Sequence, residues 1–243
     1  MDKFRKVIAS ISLVAILSTF VVSATAFAAF SDVPANEWYA SYVSDLEGAG
    51  LVSGSKFNPG VNLTRADAAL WLVGQAGLQA DVPATASFKD VPKGHVAFNA
   101  IETAKARGVI SGYAAPKDGY FGPNDAITRE QFAKMATEAF GLTPQTGCSS
   151  FPDSSSIASW ACDYVGTVYH WSVVNGYPDG TYGPARNINR AEGAKMVVLG
   201  KTPVARTGTT TPPSTSTGPL TVSAGSEPAA AYLADATAYN EVV

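Results

Sequence analysis

Along this chain, apolar residues fall into two helical registers, and the pair of registers occurs three times. The first carries Trp38, Tyr39, Tyr42, Val43 and Leu46, one face of a helix at i, i+1, i+4, i+5 and i+8. Its counterparts are Val96, Ala97, Ala100, Ile101 and Ala104, then Trp160, Ala161, Tyr164, Val165 and Val168. The second register is clearest in Phe132, Met135, Ala136, Ala139 and Phe140, and it opens at Thr64, Thr128 or Asn189. Gly77-Leu78 and Gly141-Leu142 close it as a C-cap glycine followed by a hydrophobic contact. Turn residues such as Gly176-Tyr177-Pro178-Asp179-Gly180 separate the two registers. The prediction is a mainly all-α fold made of three helix-loop-helix units. One such pair is too small to bury both of its stripes, so the three second helices are expected to share one core.

Short landmarks confirm the repetition. Phe30-Ser31-Asp32-Val33-Pro34 returns as Phe88-Lys89-Asp90-Val91-Pro92 and, degraded, as Phe151-Pro152-Asp153. Phe57-Asn58-Pro59 returns as Phe121-Gly122-Pro123 and Tyr182-Gly183-Pro184. Leu63-Thr64-Arg65-Ala66-Asp67 returns as Ile127-Thr128-Arg129-Glu130-Gln131 and Ile188-Asn189-Arg190-Ala191-Glu192. The order never changes, which places repeats at 30–80, 88–144 and 151–202.

The ends read differently. Lys3, Arg5 and Lys6 precede an apolar run from Val7 to about Val22, and Ala26-Phe27-Ala28 supplies a small-x-small cleavage site. Residues 1–28 are therefore expected to be a signal peptide, with no membrane span left after its removal. Without them the chain holds 14 basic and 19 acidic residues, a net charge of −5, which argues against a nucleic-acid partner. Export permits a disulfide between Cys148 and Cys162, the only cysteines, closing a 15-residue loop. Two Cys and two His are too few for a zinc ribbon. Residues 203–218 read as a Thr/Ser/Pro-rich linker, and 219–243 as the start of a β-domain whose remainder is expected beyond this chain.

The candidate chemistry lies at the start of each second helix. Thr64 with Asp67, Thr128 with Gln131, and Asn189 with Glu192 have the spacing of a capping box. Capping leaves Arg65, Arg129 and Arg190 unexplained, because a cation in the first turn opposes the helix dipole. Two readings stand at this point. The arginines, with open N–H groups of the helix start, take a small carboxylate or phosphate. Alternatively they pair with an acid of the neighbouring repeat, and Asp32, Asp90 and Asp153 recur suitably, though each also fits a turn or cap. Trp38 and Trp160 are candidate sugar platforms or core residues, and the middle repeat has Val96 instead. In the third repeat, Gly193 and Gly200 each weaken a helix by about 1 kcal/mol, so that repeat is expected to be the least stable.

Taken together, the Phe-x-Asp-Val-Pro opening, the Gly-Tyr-Pro-Asp-Gly-Thr turn and the Thr-Arg-x-Glu-type motif make residues 30–202 resemble three tandem S-layer homology (SLH) domains. That resemblance implies a pseudo-threefold helical spindle that binds acidic secondary cell-wall polysaccharide, typically pyruvylated, at the bacterial cell surface. It implies that Arg65, Arg129 and Arg190 contact the pyruvate ketal, with Trp38, Trp160, Asp32, Asp90 and Asp153 completing the glycan-binding set. Residues 29–243 assemble no recognisable nucleophile, base and orienting acid, so the expected role is a non-catalytic anchor without cofactor or metal. The alternatives are a self-assembling S-layer protein, whose partners are other S-layer subunits, and the anchor of an exported enzyme whose catalytic domain lies elsewhere.

Overall fold

Helices of nine and twelve residues are marginal alone in water, so these can persist only by packing against one another. The computed structural model describes residues 30–80 and 82–206. The expected signal peptide, residues 207–218 of the linker and the 219–243 segment lie outside the described residues. The outer helices are α1 (Ala40–Gly48), α3 (Phe98–Ala106) and α5 (Cys162–His170). The inner helices are α2 (Arg65–Ala76), α4 (Arg129–Phe140) and α6 (Arg190–Lys201). Among the described residues there is no strand, so the all-α expectation holds. Trp38, Val96 and Trp160 sit in the turns that lead into the outer helices, just ahead of them.

The inner helices pack on one another, and each outer helix packs on the inner helix of a different repeat. Thus α3 lies on α2, α5 on α4 and α1 on α6, which closes a ring of three. Just ahead of the inner helices, the chain segments pair around the central axis. Leu63 N–H donates to the Ile188 carbonyl at 2.9 Å, Ile188 N–H to Ile127 at 3.2 Å, and Ile127 N–H to Leu63 at 3.0 Å. All three side chains are fully buried. Each repeat therefore donates one N–H to one neighbour and accepts one from the other.

The shared core is symmetric in register but not in volume. At the fourth position of the inner helices stand Ala68, Phe132 and Gly193, all buried, and at the seventh Trp71, Met135 and Met196. Gly193 is small for a reason that its propensity cost hides: a Cβ there would meet Leu63 Cδ2 at 2.7 Å. At Gly200 a Cβ would run into the Phe140 ring. These glycines let α6 approach its neighbours closely, so the expectation that they merely weaken the third repeat is corrected.

Each repeat's opening acid clamps its own loop. Asp32 accepts the N–H groups of Phe57 and Asn58, both at 2.8 Å. Asp90 accepts those of Phe121 and Gly122 at 2.9 and 2.7 Å, and Asp153 those of Tyr182 and Gly183, both at 2.8 Å. The second clamped residue has positive φ (58° at Asn58, 72° at Gly122, 69° at Gly183), a conformation the two amide bonds help to hold. The disulfide joins Cys148 to Cys162 and ties the loop after α4 to the start of α5. Beside it, Gln145 N–H donates to Thr167 Oγ1 at 2.9 Å and Gly147 N–H to Asp163 Oδ1 at 2.8 Å.

Replacing both cysteines by serine is expected to lower unfolding free energy by about 3 kcal/mol, read by urea titration; an unchanged midpoint would contradict the staple. The clamp makes a pH prediction. Burial works to raise the Asp32 carboxyl, but the amides of Phe57 and Asn58, with Lys56 nearby, hold it below the ordinary carboxylate value. A depressed folded value stabilises the fold above the unfolded pKa of about 4 and loses that stabilisation as pH falls through the lower value. Asp32→Ala is thus expected to cost about 1–2 kcal/mol at pH 7, shrinking toward zero in acid melts. A gap that stays constant with pH would contradict the assignment.

Candidate functional site

At every inner-helix start the orphan N–H groups are already satisfied. Arg65 and Ala66 N–H donate to the carbonyls of Asp125 and Pro123 at 2.9 and 3.0 Å, and Asp67 N–H to Thr64 Oγ1 at 3.0 Å. In α4, Arg129 and Glu130 donate to Arg186 and Pro184, and Gln131 to Thr128 Oγ1. In α6, Arg190 and Ala191 donate to Val61 and Pro59, and Glu192 to Asn189 Oδ1. The expectation of open helix ends waiting for an anion is therefore corrected: the next repeat's loop caps them. Full capping boxes form at Thr128/Gln131 and Asn189/Glu192. At Thr64 the cap runs one way, because the shorter Asp67 turns its carboxylate elsewhere.

The arginines cross the seams between repeats. Arg65 Nε donates to the Phe121 carbonyl at 2.8 Å, and its guanidinium lies 4.7 Å from the ring centres of Tyr113 and Phe121. Arg129 Nη1 donates to Tyr177 Oη at 3.2 Å, with its guanidinium 4.6 Å from that ring and 5.1 Å from Tyr182. Arg190 Nε donates to the Phe57 carbonyl at 2.7 Å, and its guanidinium lies 4.9 Å from Phe57 and 4.8 Å from Trp71. So the first repeat docks on the second, the second on the third, and the third on the first. The cation that opposes its own helix dipole is repaid on the neighbour by two aromatic faces and an oxygen, a carbonyl for Arg65 and Arg190 and the Tyr177 hydroxyl for Arg129.

Asp32, Asp90 and Asp153 hold the loops under these arginines and do not pair with them. Arg190 does take an acid, with its Nη1 2.7 Å from Asp67 Oδ2. Among the described residues, Arg65 has no ion pair. Desolvation lowers its pKa, while Tyr113, Asp125 and Asp90 act in the opposite sense. The phenols around Arg129 stay neutral. Burial, aided by Glu192 and opposed by Arg129 and Arg186, pushes Tyr177 up to about 12, and burial raises Tyr182 as well. The Tyr177 hydroxyl donates a hydrogen bond to Glu192 Oε1 at 3.1 Å, and Glu192 also faces Arg186 at 3.5 Å.

The two tryptophans part company. Trp38 is half-buried, edge-on to Tyr39 at 5.3 Å and under Lys195 at 5.2 Å, in the α1–α6 seam. Trp160 is 48% exposed, and Val96 at the same place in the second repeat is 91% exposed. The Trp160 turn is tied to α4 by Ala158 N–H donating to Glu130 Oε2 at 3.1 Å. Each seam thus combines a cation, two aromatic faces and a lead-in residue of different exposure. The rings of Phe57, Trp71, Tyr113, Phe121, Tyr177 and Tyr182 were not singled out by the motifs as site residues. For all but Trp71, which lies within α2, the signal was the Phe/Tyr-x-Pro landmark or the Tyr of the preceding turn. Among the described residues no group of three or more His, Cys, Asp or Glu is placed to hold a metal. No helix there is long and apolar enough to cross a membrane.

The comparisons with known proteins agree with this architecture. The family profile described as S-layer homology domain matches residues 29–69, 87–133 and 150–194, more than half of the chain. An endoglucanase of Bacillus sp. (strain KSM-635) is 33% identical over 69% of this chain and 18% of its own length. The surface-layer 125 kDa protein of Lysinibacillus sphaericus is 29% identical over 72% of this chain and 15% of its own. A cellulosome-anchoring protein of Acetivibrio thermocellus is 30% identical over 68% of this chain and 37% of its own. The match therefore spans well under half of each of these relatives. With three repeats in tandem, the landmarks in order and the profile on each, the chain belongs to the S-layer homology domain family.

Proposed function

We propose that residues 30–202 form a non-catalytic anchor on the bacterial cell surface, holding an exported protein to acidic wall polysaccharide through the three seams centred on Arg65, Arg129 and Arg190. One observation carries this reading. A guanidinium is held between aromatic faces at every seam of a protein that is otherwise mildly acidic. A carboxylate on a sugar suits such a place, since the guanidinium offers a planar fork and the rings accept C–H faces and methyl groups. A pyruvate ketal presents both features. Trp160 adds an open platform, and Asp32, Asp90 and Asp153 support the loops beneath the ligand. The match to a cellulosome-anchoring protein and to an endoglucanase favours anchoring of varied effectors.

A second reading, self-assembly of an S-layer, is favoured by the match to a surface-layer protein. Light scattering of the chain without glycan separates the two, because persistent monomers count against assembly.

The test compares sedimentation of the chain lacking residues 1–28 with native wall sacculi and with sacculi stripped of acidic polysaccharide. Binding to native walls alone is expected. Because the arginines also bridge repeats, lysine is the better substitution: it keeps the charge and loses the fork. The triple variant Arg65→Lys, Arg129→Lys, Arg190→Lys, checked for cooperative unfolding, is expected to bind at least tenfold more weakly. Equal binding to stripped walls would contradict the reading.

A further inference from the structure

The three seams are unlike in one residue. The third position of the inner helix in the repeat being docked upon is Asp67, Gln131 or Glu192. Where Arg190 meets the first repeat, Asp67 already occupies the guanidinium at 2.7 Å. Where Arg129 meets the third repeat, Glu192 is wired to the seam through the Tyr177 hydroxyl at 3.1 Å and faces Arg186 at 3.5 Å. Where Arg65 meets the second repeat, that position is the neutral Gln131, whose Oε1 accepts Thr128 N–H at 3.2 Å.

Resting on the anchoring role proposed above, we propose that this third-position residue decides which seam accepts a carboxylate, and that the seam between repeats 1 and 2, where it is the neutral Gln131, is the principal glycan site. An external carboxylate must displace an internal one at Arg190, whereas at Arg65 it finds a cation with no ion pair among the described residues. Arg65 is buried with its Nε fixed on the Phe121 carbonyl, so its direction is set before a ligand arrives. The surrounding loop is built to match. Tyr113 N–H donates to the Tyr120 carbonyl at 2.9 Å, which holds the 113–120 loop closed beside the site. The Tyr113 hydroxyl engages Asp125 at 2.8 Å, which gives that nearby carboxylate a partner other than Arg65. Lys117 Nζ lies 5.5 Å from the Tyr113 ring and adds a second cation to the same ring that Arg65 faces. The loop of the third repeat is shorter by three residues and holds no base between Tyr177 and Thr181.

Two substitutions test this in opposite directions. Gln131→Glu installs an acid at the open seam, and Glu is the ordinary capping-box residue at this position, so the helix start is preserved. Asp67→Asn removes the acid from the Arg190 seam. Acidic polysaccharide released from native sacculi is titrated calorimetrically into the chain lacking residues 1–28 and into both variants, and a carboxyl-reduced preparation into the unsubstituted chain. The expected result is binding of the intact polymer only, at least tenfold weaker for Gln131→Glu, with Asp67→Asn binding as well as the parent or gaining a second site. If the parent prefers the intact polymer while Gln131→Glu binds equally well, the seam assignment is overturned and the anchoring role stands. If the parent fails to distinguish intact from reduced polymer, both fall.

Discussion

Three backbone hydrogen bonds around one axis, among Leu63, Ile127 and Ile188, are the constraint on which the rest of the structure depends. Each joins a different pair of repeats, so no repeat can complete its backbone pairing without the other two. Around the ring, the inner helices pool a core that none could form singly, and each outer helix lies on an inner helix of another repeat. The arginines then seal the outside of the seams. A buried cation survives there because its faces find aromatic rings and, at Arg65 and Arg190, its Nε finds a carbonyl. The proposed binding surface consequently belongs to the interfaces and not to any single repeat.

Much of this was legible in the chain. Period-3.6 stripes, C-cap glycines and Thr or Asn caps are local signals, and the inner helices start where those signals place them, while each outer helix starts two residues after its stripe begins. The arginines were also visible as misfits, since a cation in the first turn lacks a local cause. Their partners were not visible, because Phe121, Tyr177 and Phe57 lie 56, 48 and 133 residues away from them. Gly193 and Gly200 looked like weak points for the same reason. Propensity is local, whereas the approach of Leu63 and Phe140 is tertiary. Asp32 shows the limit from the other side, for its recurrence marked importance without saying that its oxygens face its own loop.

Pseudosymmetry is what makes differences between the seams meaningful. Each repeat offers the same arginine and clamp acid, so a changed residue beside them acts against a shared background. Asp67, Gln131 and Glu192 vary the charge facing the seam, and Trp38, Val96 and Trp160 vary the platform beside it. A threefold body can in this way keep one stable scaffold while its binding places diverge.

The central claim is that the three repeats form one cooperative unit closed at the axis. Native-state hydrogen exchange of the Leu63, Ile127 and Ile188 amides tests it most directly. All three are expected to exchange only through global unfolding, with one common free energy and one common denaturant dependence. Exchange of one amide through a smaller opening, with the other two still protected, would contradict it.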